Sequence, residues 1–133
     1  MSQENVELVR RAYAHTQATG KVYAEGFAPD FIWDMSKYEG WPEQQSYEGA
    51  DGAQRFLDDW TGAWADWNLE VEETYEAGNE VVALLHQRGR ARTTGMALDM
   101  TFAQTWTIRD GRLARMDMYS DPSEALKAVG LEE

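Results

Sequence analysis

The sequence predicts an α+β fold: a cone-shaped barrel in which a curved antiparallel sheet wraps around N-terminal helices and leaves an internal pocket. Apolar residues recur at helical spacing up to Trp67, and apolar and polar residues alternate after it. Asp110-Gly111 joins two alternating segments and is a strong hairpin signal, because both residues can take the positive φ of a tight turn. Helices followed by a meander of strands are typical of the α+β class.

Composition narrows the kind of protein. The 133 residues suit one domain, residues 1–133, with a substantial core. A net charge of −12 disfavours binding to nucleic acid or anionic membranes. Cysteine is absent, which excludes disulfides and thiolate metal sites. Since no apolar segment resembles a signal peptide or a membrane span, we expect a cytoplasmic protein.

Four helices are predicted. The first begins at Ser2 and ends before Gly20, and a short second one covers Val22–Phe27. A capping box at Asp51 begins the third. Its buried stripe is expected to consist of Ala53, Phe56, Leu57, Trp60, Ala63 and Trp64. Asp121 and Pro122 begin a short C-terminal helix.

The segment from Asp30 to Met35 reads as a strand with Phe31, Trp33 and Met35 on one face. The segment 36–49 has the composition of a long loop. Because it carries Trp41 and Tyr47, it is a candidate lid. Four antiparallel strands follow after Trp67.

The predicted hairpin 97–121 contains an apolar face that is interrupted by one amide. Its first strand alternates large residues with small ones, and Gln104 lies among the large ones. An amide on such a face must find a hydrogen-bond partner in the core or in a ligand. We therefore expect a flat apolar ligand to contact Gln104 and the aromatic and methionine residues around it, namely Trp33, Met35, Trp60, Trp64, Phe102, Trp106, Met116 and Met118.

His86 and Arg88 lie two residues apart on the predicted strand 81–91. We expect Val82, Leu84, His86 and Arg88 to face the interior. His86 could then act as a general base and Arg88 could stabilise a developing anion. The alternative is a polar network at the rim of the pocket, in which Arg88 pairs with an acidic residue. Two histidines 71 positions apart provide no metal-binding spacing, so no metal site is expected. Acid/base chemistry of this kind needs no cofactor, and none is expected.

Several segments together resemble a known superfamily. They are Leu8–Tyr13, Asp30–Trp33, Tyr47–Gly49, Phe102–Arg112 and Tyr119–Asp121. With the order of the elements, they are similar to the SnoaL-like polyketide cyclase branch of the nuclear transport factor 2-like superfamily. The resemblance implies the cone-shaped fold, but the superfamily includes isomerases, cyclases, hydrolases and binders, so fold alone does not define the chemistry.

The resemblance also suggests roles for particular positions. Tyr13 matches the helix-one tyrosine of steroid isomerases, whereas Met35 and Gln104 lie where those enzymes carry their base and their acid. Methionine cannot accept a proton, so isomerisation of that type is not expected. SnoaL-type cyclases use an inward Asp with a nearby His, for which Asp117 or Asp121 would need a bulge to turn inward.

The leading hypothesis is a cofactor-independent acid/base enzyme acting on an apolar carbonyl or polycyclic compound. His86 would be its base, and Arg88, Gln104 and Tyr13 would orient and polarise the substrate. The alternative is a non-catalytic ligand-binding or dimerisation module. For the homodimer we expect a sheet face of small residues, namely Ala83, Leu85, Thr101, Ala103, Thr105 and Thr107.

Overall fold

The computed structural model describes residues 2–38, 46–62 and 64–131, without the side chains of residues 2 and 3. Three α-helices are present among them: α1 (Ser2–Thr19), α2 (Gly49–Gly62) and α3 (Pro122–Ala128). The strands are β1 (Phe27–Asp34), β2 (Ser46–Glu48), β3 (Trp64–Ala77), β4 (Glu80–Ala91), β5 (Ala97–Arg109) and β6 (Arg112–Tyr119). Helices α1 and α2 pack against the inner face of the curved sheet, which confirms the α+β class.

The six strands form one open sheet in the order β2-β1-β6-β5-β4-β3. The pairs β3–β4, β4–β5 and β5–β6 are antiparallel, as expected for the meander. However, β1 lies parallel to β6, so the expectation of a wholly antiparallel sheet is wrong. The paired residues of β1 and β6 lie 83 to 86 positions apart along the chain, and local sequence patterns do not encode such a long-range pairing.

Local signals place the first elements well. Helix α1 buries Val9, Ala12 and Tyr13, and Gly20 follows it with φ 75°. This is the left-handed conformation that ends many helices. The predicted helix Val22–Phe27 is only a 3-10 turn over Ala24–Gly26, because β1 already begins at Phe27.

The predicted loop 36–49 is only partly a loop. Tyr47 is buried on the short strand β2, which pairs with β1, and α2 begins directly afterwards at Gly49. Residues 39–45, including Trp41, lie outside the described residues. The expectation of a lid is therefore not tested.

Trp64 lies on a strand and not on the helix that the sequence predicts. Helix α2 ends at Gly62, and Trp64 begins β3, where it pairs with Ala91. Ala63, which precedes Trp64 in the expected stripe, lies outside the described residues. The helical stripe therefore ends at Trp60, and Trp64 is half-buried on the strand.

The outer face of the sheet carries a helix of its own. Helix α3 places Ala125 and Leu126 on Val82 of β4 and Ala103 of β5. Asp121 caps it by accepting a hydrogen bond from the backbone N–H of Ser123, as the sequence predicts. The helices are therefore not confined to one face of the sheet, and part of the face expected to form a dimer is covered.

The hairpin between β5 and β6 forms as predicted. Asp110 has φ 54° and Gly111 has φ 74°, which are the two positive values that a tight hairpin turn needs. Phe102, Gln104 and Trp106 are buried on the inner face of β5. The tight turn and the alternation together fix the register and aim Gln104 at the helices.

Candidate ligand-binding site

A cavity of about 40 Å³ lies between the two N-terminal helices and the inner face of the sheet. Helix α1, helix α2 and strands β1, β3 and β5 all contribute to its wall. The wall is almost wholly apolar and aromatic, and it is formed by Ala12, Tyr13, Thr16, Val22, Tyr23, Phe27, Trp33, Phe56, Leu57, Trp60, Trp67, Leu69, Phe102, Gln104 and Trp106. Among the residues that the structure describes, the wall includes no side chain of aspartate, glutamate, histidine, lysine or arginine.

The polar part of the wall is a chain of three hydrogen-bonded side chains. Trp106 Nε1 donates to the hydroxyl of Tyr13 at 2.8 Å, and that hydroxyl donates to Gln104 Oε1 at 2.6 Å. Gln104 Nε2 has only the thioether of Met118, 3.9 Å away, as a weak acceptor. The core thus satisfies the amide oxygen of Gln104 but leaves its N–H groups able to donate to a ligand.

Burial keeps Tyr13 neutral. Removal of its hydroxyl from water raises the pKa of Tyr13 far above its usual value, although the hydrogen bond from Trp106 acts in the opposite direction. At physiological pH the hydroxyl is therefore a donor to Gln104. It is not an anionic base.

A second buried amide holds two tryptophans at the cavity. Gln87 Oε1 accepts hydrogen bonds from Trp60 Nε1 at 2.5 Å and from Trp67 Nε1 at 2.7 Å. Trp60 comes from the end of α2 and Trp67 from the start of β3. One side chain of β4 therefore fixes helix α2 and strand β3 to the same point of the sheet.

A β-bulge positions Trp67. The pairing of β3 with β4 shifts by one residue between Ala65 and Asn68, and Asp66 within this segment has φ 55°. Gly89 lies opposite, where a Cβ atom would meet the carbonyl oxygen of Ala65 at 3.3 Å and Cα of Trp67 at 3.5 Å. A glycine at position 89 therefore lets the bulged strand approach closely.

His86 and Arg88 do not reach this cavity. The core contains Val81, Ala83 and Leu85 of β4, so the face expected to be inward is the outer one. The prediction is wrong because α3 covers Val82 and gives the outer face of β4 an apolar stretch as well. Alternation alone cannot distinguish two apolar faces.

On the outer face, His86 lies between two carboxylates. Its Nε2 is 2.5 Å from Asp99 Oδ1, and its Nδ1 is 3.5 Å from Glu72 Oε2. The hydrogen bond with His86, opposed by partial desolvation and supported by Arg88, lowers the pKa of Asp99. Arg88 pairs with Glu70 at 3.5 Å and with Asp99 at 3.6 Å. Arg88 thus pairs with carboxylates, as the alternative prediction has it, but the network lies on the outer face of the sheet and not at the rim of the cavity.

Within the described chain, three side chains at this cluster are of types that can ligate a metal ion. Ligand atoms of Glu70, Glu72 and His86 lie within 4.8 Å of one another. However, Arg88 and Asp99 already pair with members of this group. The cluster is therefore explained as an ion-pair network on the outer face of the sheet.

The candidate acids do not turn inward either. Asp117 contacts Lys37 at 3.1 Å and Arg115 at 3.0 Å on the outer face. Asp121 caps helix α3. Strands β5 and β6 do contain a bulge, between Thr107 and Ile108. This bulge does not turn Asp117 towards the cavity.

The structure brings together part of the predicted ligand site. Six of the predicted site residues line the cavity, namely Tyr13, Trp33, Trp60, Phe102, Gln104 and Trp106. Met35, Met116 and Met118 are buried in the surrounding core, and Trp64 lies at the start of β3. Sequence reasoning missed Trp67 and Gln87. The signal for Gln87 was the same as for Gln104, since it is the amide that follows Val81, Ala83 and Leu85 on one face.

Comparison with known proteins agrees with the fold. The profile of the SnoaL-like domain family matches residues 9–116. The chain therefore belongs to the SnoaL-like domain family. No curated protein sequence matches it significantly.

Solved structures share the fold at low sequence identity. The chain is similar to an NTF2-like protein from Burkholderia thailandensis, with a TM-score of 0.77, 20% identity and coverage of 96% of this chain and 97% of that one. It is also similar to TerC co-crystallised with polyporic acid, with a TM-score of 0.74, 23% identity and coverage of 95% and 97%. A third is a Catenulispora acidiphila protein of ketosteroid isomerase-like fold, with a TM-score of 0.71, 16% identity and coverage of 94% and 93%. No helix in the described ranges is long and apolar enough to cross a membrane.

Proposed function

We propose that this protein binds a neutral, flat, largely apolar organic molecule in the cavity between helices α1 and α2 and the sheet. One observation carries the proposal: the wall, as far as the described residues form it, is aromatic and aliphatic, contains an amide at Gln104 whose N–H groups can donate, and has no charged side chain. Sites for small molecules typically combine such apolar walls with a few placed polar groups. That TerC was co-crystallised with polyporic acid supports an organic ligand for this fold.

The lack of charge in the wall predicts a neutral ligand. Placing an ionised carboxylate or amine in an apolar site is costly unless a counter-ion pairs with it. Arg88 and Arg115 lie on the outer face of the sheet and pair with carboxylates there. A neutral carbonyl or hydroxyl compound can instead use the amide of Gln104.

Binding requires the wall to move. A volume of about 40 Å³ holds one or two water molecules, whereas drug-sized ligands occupy sites of about 300 Å³ or more. Thr16, Tyr23 and Trp67 are the half-exposed members of the wall, so the cavity opens to solvent on their side. We infer that the ligand enters there and displaces these side chains.

Catalysis on the bound molecule stays a prediction. With His86 and Arg88 on the outer face, chemistry in the cavity would depend on the Gln104 N–H groups as donors to a carbonyl oxygen, with the amide held in place by the Tyr13 hydroxyl. We therefore place ligand binding before turnover. The cytoplasmic location expected from the sequence and the homodimer also stay predictions.

Filling the cavity tests the proposal. Ala12 is buried in the wall on α1, and Ala12→Leu adds an apolar side chain there. We expect titration of tryptophan fluorescence with indane, a neutral flat bicycle, to show binding to the wild type. Ala12→Leu should weaken that binding at least tenfold. Indane-2-carboxylate should bind the wild type at least tenfold more weakly than indane, because its charge has no counter-ion.

Ala14→Leu is the matched control, since Ala14 lies two residues further along α1 and is exposed. It makes the same chemical change outside the cavity and should leave the affinity for indane unaltered. Equal affinity of the Ala12→Leu and Ala14→Leu variants, or preferred binding of the carboxylate, would refute the proposed site.

A further inference from the structure

Trp33 carries a buried hydrogen-bond donor that the fold leaves unused. Its indole Nε1 has no hydrogen-bond partner in the described part of the chain, although the residue is only 5% exposed. Burying such a donor without an acceptor costs about 1–3 kcal/mol. Most buried polar groups in native proteins are paired, so an exception at a candidate site calls for an explanation.

The position of Trp33 connects this donor with the cavity. The side chain lines the cavity wall, with its ring centroid 4.8 Å from that of Phe56 and 6.0 Å from that of Trp106. These neighbours are hydrocarbon rings or, for Trp106, an indole whose own N–H is used by Tyr13. The surroundings of the Trp33 indole therefore consist of apolar wall and of the space that a ligand would fill.

Tyr47, which pairs with Trp33 across two strands, provides a contrast because it also has a buried polar group. Trp33 on β1 lies opposite Tyr47 on β2, whose hydroxyl is also buried and has no partner among the described residues. Both rings pack on Phe56, at 4.8 Å and 5.6 Å. Trp33 belongs to the cavity wall and Tyr47 does not, so a ligand in the cavity contacts the Trp33 indole and not the Tyr47 ring.

We propose that the indole N–H of Trp33 recognises an acceptor oxygen of the ligand, which makes this cavity selective for flat carbonyl compounds such as ketones and quinones over hydrocarbons of the same shape. The proposal rests on the proposed function and adds the chemical class of the ligand. Gln104 contributes a second donor to the same cavity, since its Nε2 has only a thioether partner. Two neutral donors in a largely apolar wall suit the oxygen of a ligand carbonyl, which accepts hydrogen bonds.

A matched pair of ligands separates hydrogen bonding from shape. Indane and 1-indanone share one carbon skeleton and differ by a carbonyl oxygen. The quantity measured is the ratio of their dissociation constants for the wild type and for two variants. Trp33→Phe should shift this ratio about tenfold against indanone, as expected for loss of one hydrogen bond to a buried carbonyl. Tyr47→Phe should leave the ratio unchanged, although it too removes an unpartnered buried atom.

The indole N–H resonances provide a readout that does not depend on the variant's stability. The signal missing from the Trp33→Phe spectrum assigns Trp33. In the wild type, indanone should shift that signal downfield relative to indane, whereas the other indole signals should respond alike to both ligands. If both ligands bind and neither the ratio nor the Trp33 signal distinguishes them, the assignment of Trp33 is overturned and the binding function stands. If neither ligand binds, the proposed function itself fails.

Discussion

The hydroxyl of Tyr13 makes two hydrogen bonds at the candidate site. It accepts from Trp106 and donates to Gln104, so helix α1 is hydrogen-bonded to two side chains of β5. Removing it leaves an indole N–H and an amide oxygen buried without a partner. Buried groups orphaned in this way cost about 1–3 kcal/mol each.

We therefore predict that Tyr13→Phe lowers the free energy of unfolding by roughly 2–4 kcal/mol. Urea denaturation followed by circular dichroism measures it. Tyr23→Phe is the control, since Tyr23 also lines the cavity but is half-exposed and takes no part in this chain of hydrogen bonds. A loss no larger for Tyr13→Phe than for Tyr23→Phe would contradict the structural role of the hydroxyl.

The same variant has a pH signature. Burial raises the pKa of Tyr13 above its ordinary value of 10.0 in the folded protein. Below pH 10 both states hold the proton, whereas above it the unfolded chain releases the proton and the folded chain keeps it. Stability therefore falls as pH rises above about 10, by up to about 1.4 kcal/mol per pH unit from this group. Tyr13→Phe should show a shallower decline over this range than Tyr23→Phe.

At the scale of elements, the two hydrogen bonds of Gln87 connect α2 and β3 to β4 on the side of the cavity that opens to solvent. Gln87 holds Trp67, a half-exposed wall residue on a bulge, and Trp60 through the same oxygen. A bulge next to a binding site re-aims a side chain that regular pairing would not place there. The hydrogen bonds of Gln87 thus both stabilise the fold and restrain the cavity wall at Trp67.

We predict that Gln87→Met, which keeps the length of the side chain and removes the acceptor, destabilises the fold by roughly 2–4 kcal/mol because two indole N–H groups lose their partner. It should also raise the association rate of indane, since Trp67 is released. Stopped-flow fluorescence measures that rate. Arg88→Met changes the next residue of β4, whose side chain lies on the outer face, and should leave the rate unaltered. A slower or unaltered rate for Gln87→Met would exclude this restraint.

At the scale of the molecule, the outer face of the sheet divides into two parts. Helix α3 covers the part around Val82 and Ala103. Ala83 and Leu85, which the sequence analysis assigned to the dimer face, point into the core. The remaining part carries charged side chains, among them Glu72, His86, Arg88 and Asp99.

A homodimer through the sheet would therefore use the charged part of the outer face. We predict that it weakens as salt is raised, because interactions between exposed charges are screened within about 10 Å at 0.1 M salt. Sedimentation velocity at micromolar protein in 0.05 M and 0.5 M sodium chloride measures the effect. A monomer at both concentrations, or a dimer indifferent to salt, would contradict it.

The sequence predicted those features that depend on neighbours along the chain. The caps at Asp121 and Gly20, the turn at Asp110-Gly111 and the alternation of Phe102, Gln104 and Trp106 require only local backbone preferences and the period of apolar residues. For that reason the α+β class and the inward position of Gln104 were accessible from the sequence alone.

Tertiary structure decided which face of β4 lies inside and which polar residues meet. Because α3 folds back onto the outer face, β4 is apolar on both sides, and its local pattern could not show that Gln87 points inward while His86 points outward. The parallel pairing of β1 with β6 joins segments far apart in the chain, and it places Trp33 beside the cavity. The sequence by itself determined an aromatic domain with a buried amide. The packing of distant elements decided that the described part of the pocket wall is uncharged and that Trp33 brings a buried, unpartnered donor to it.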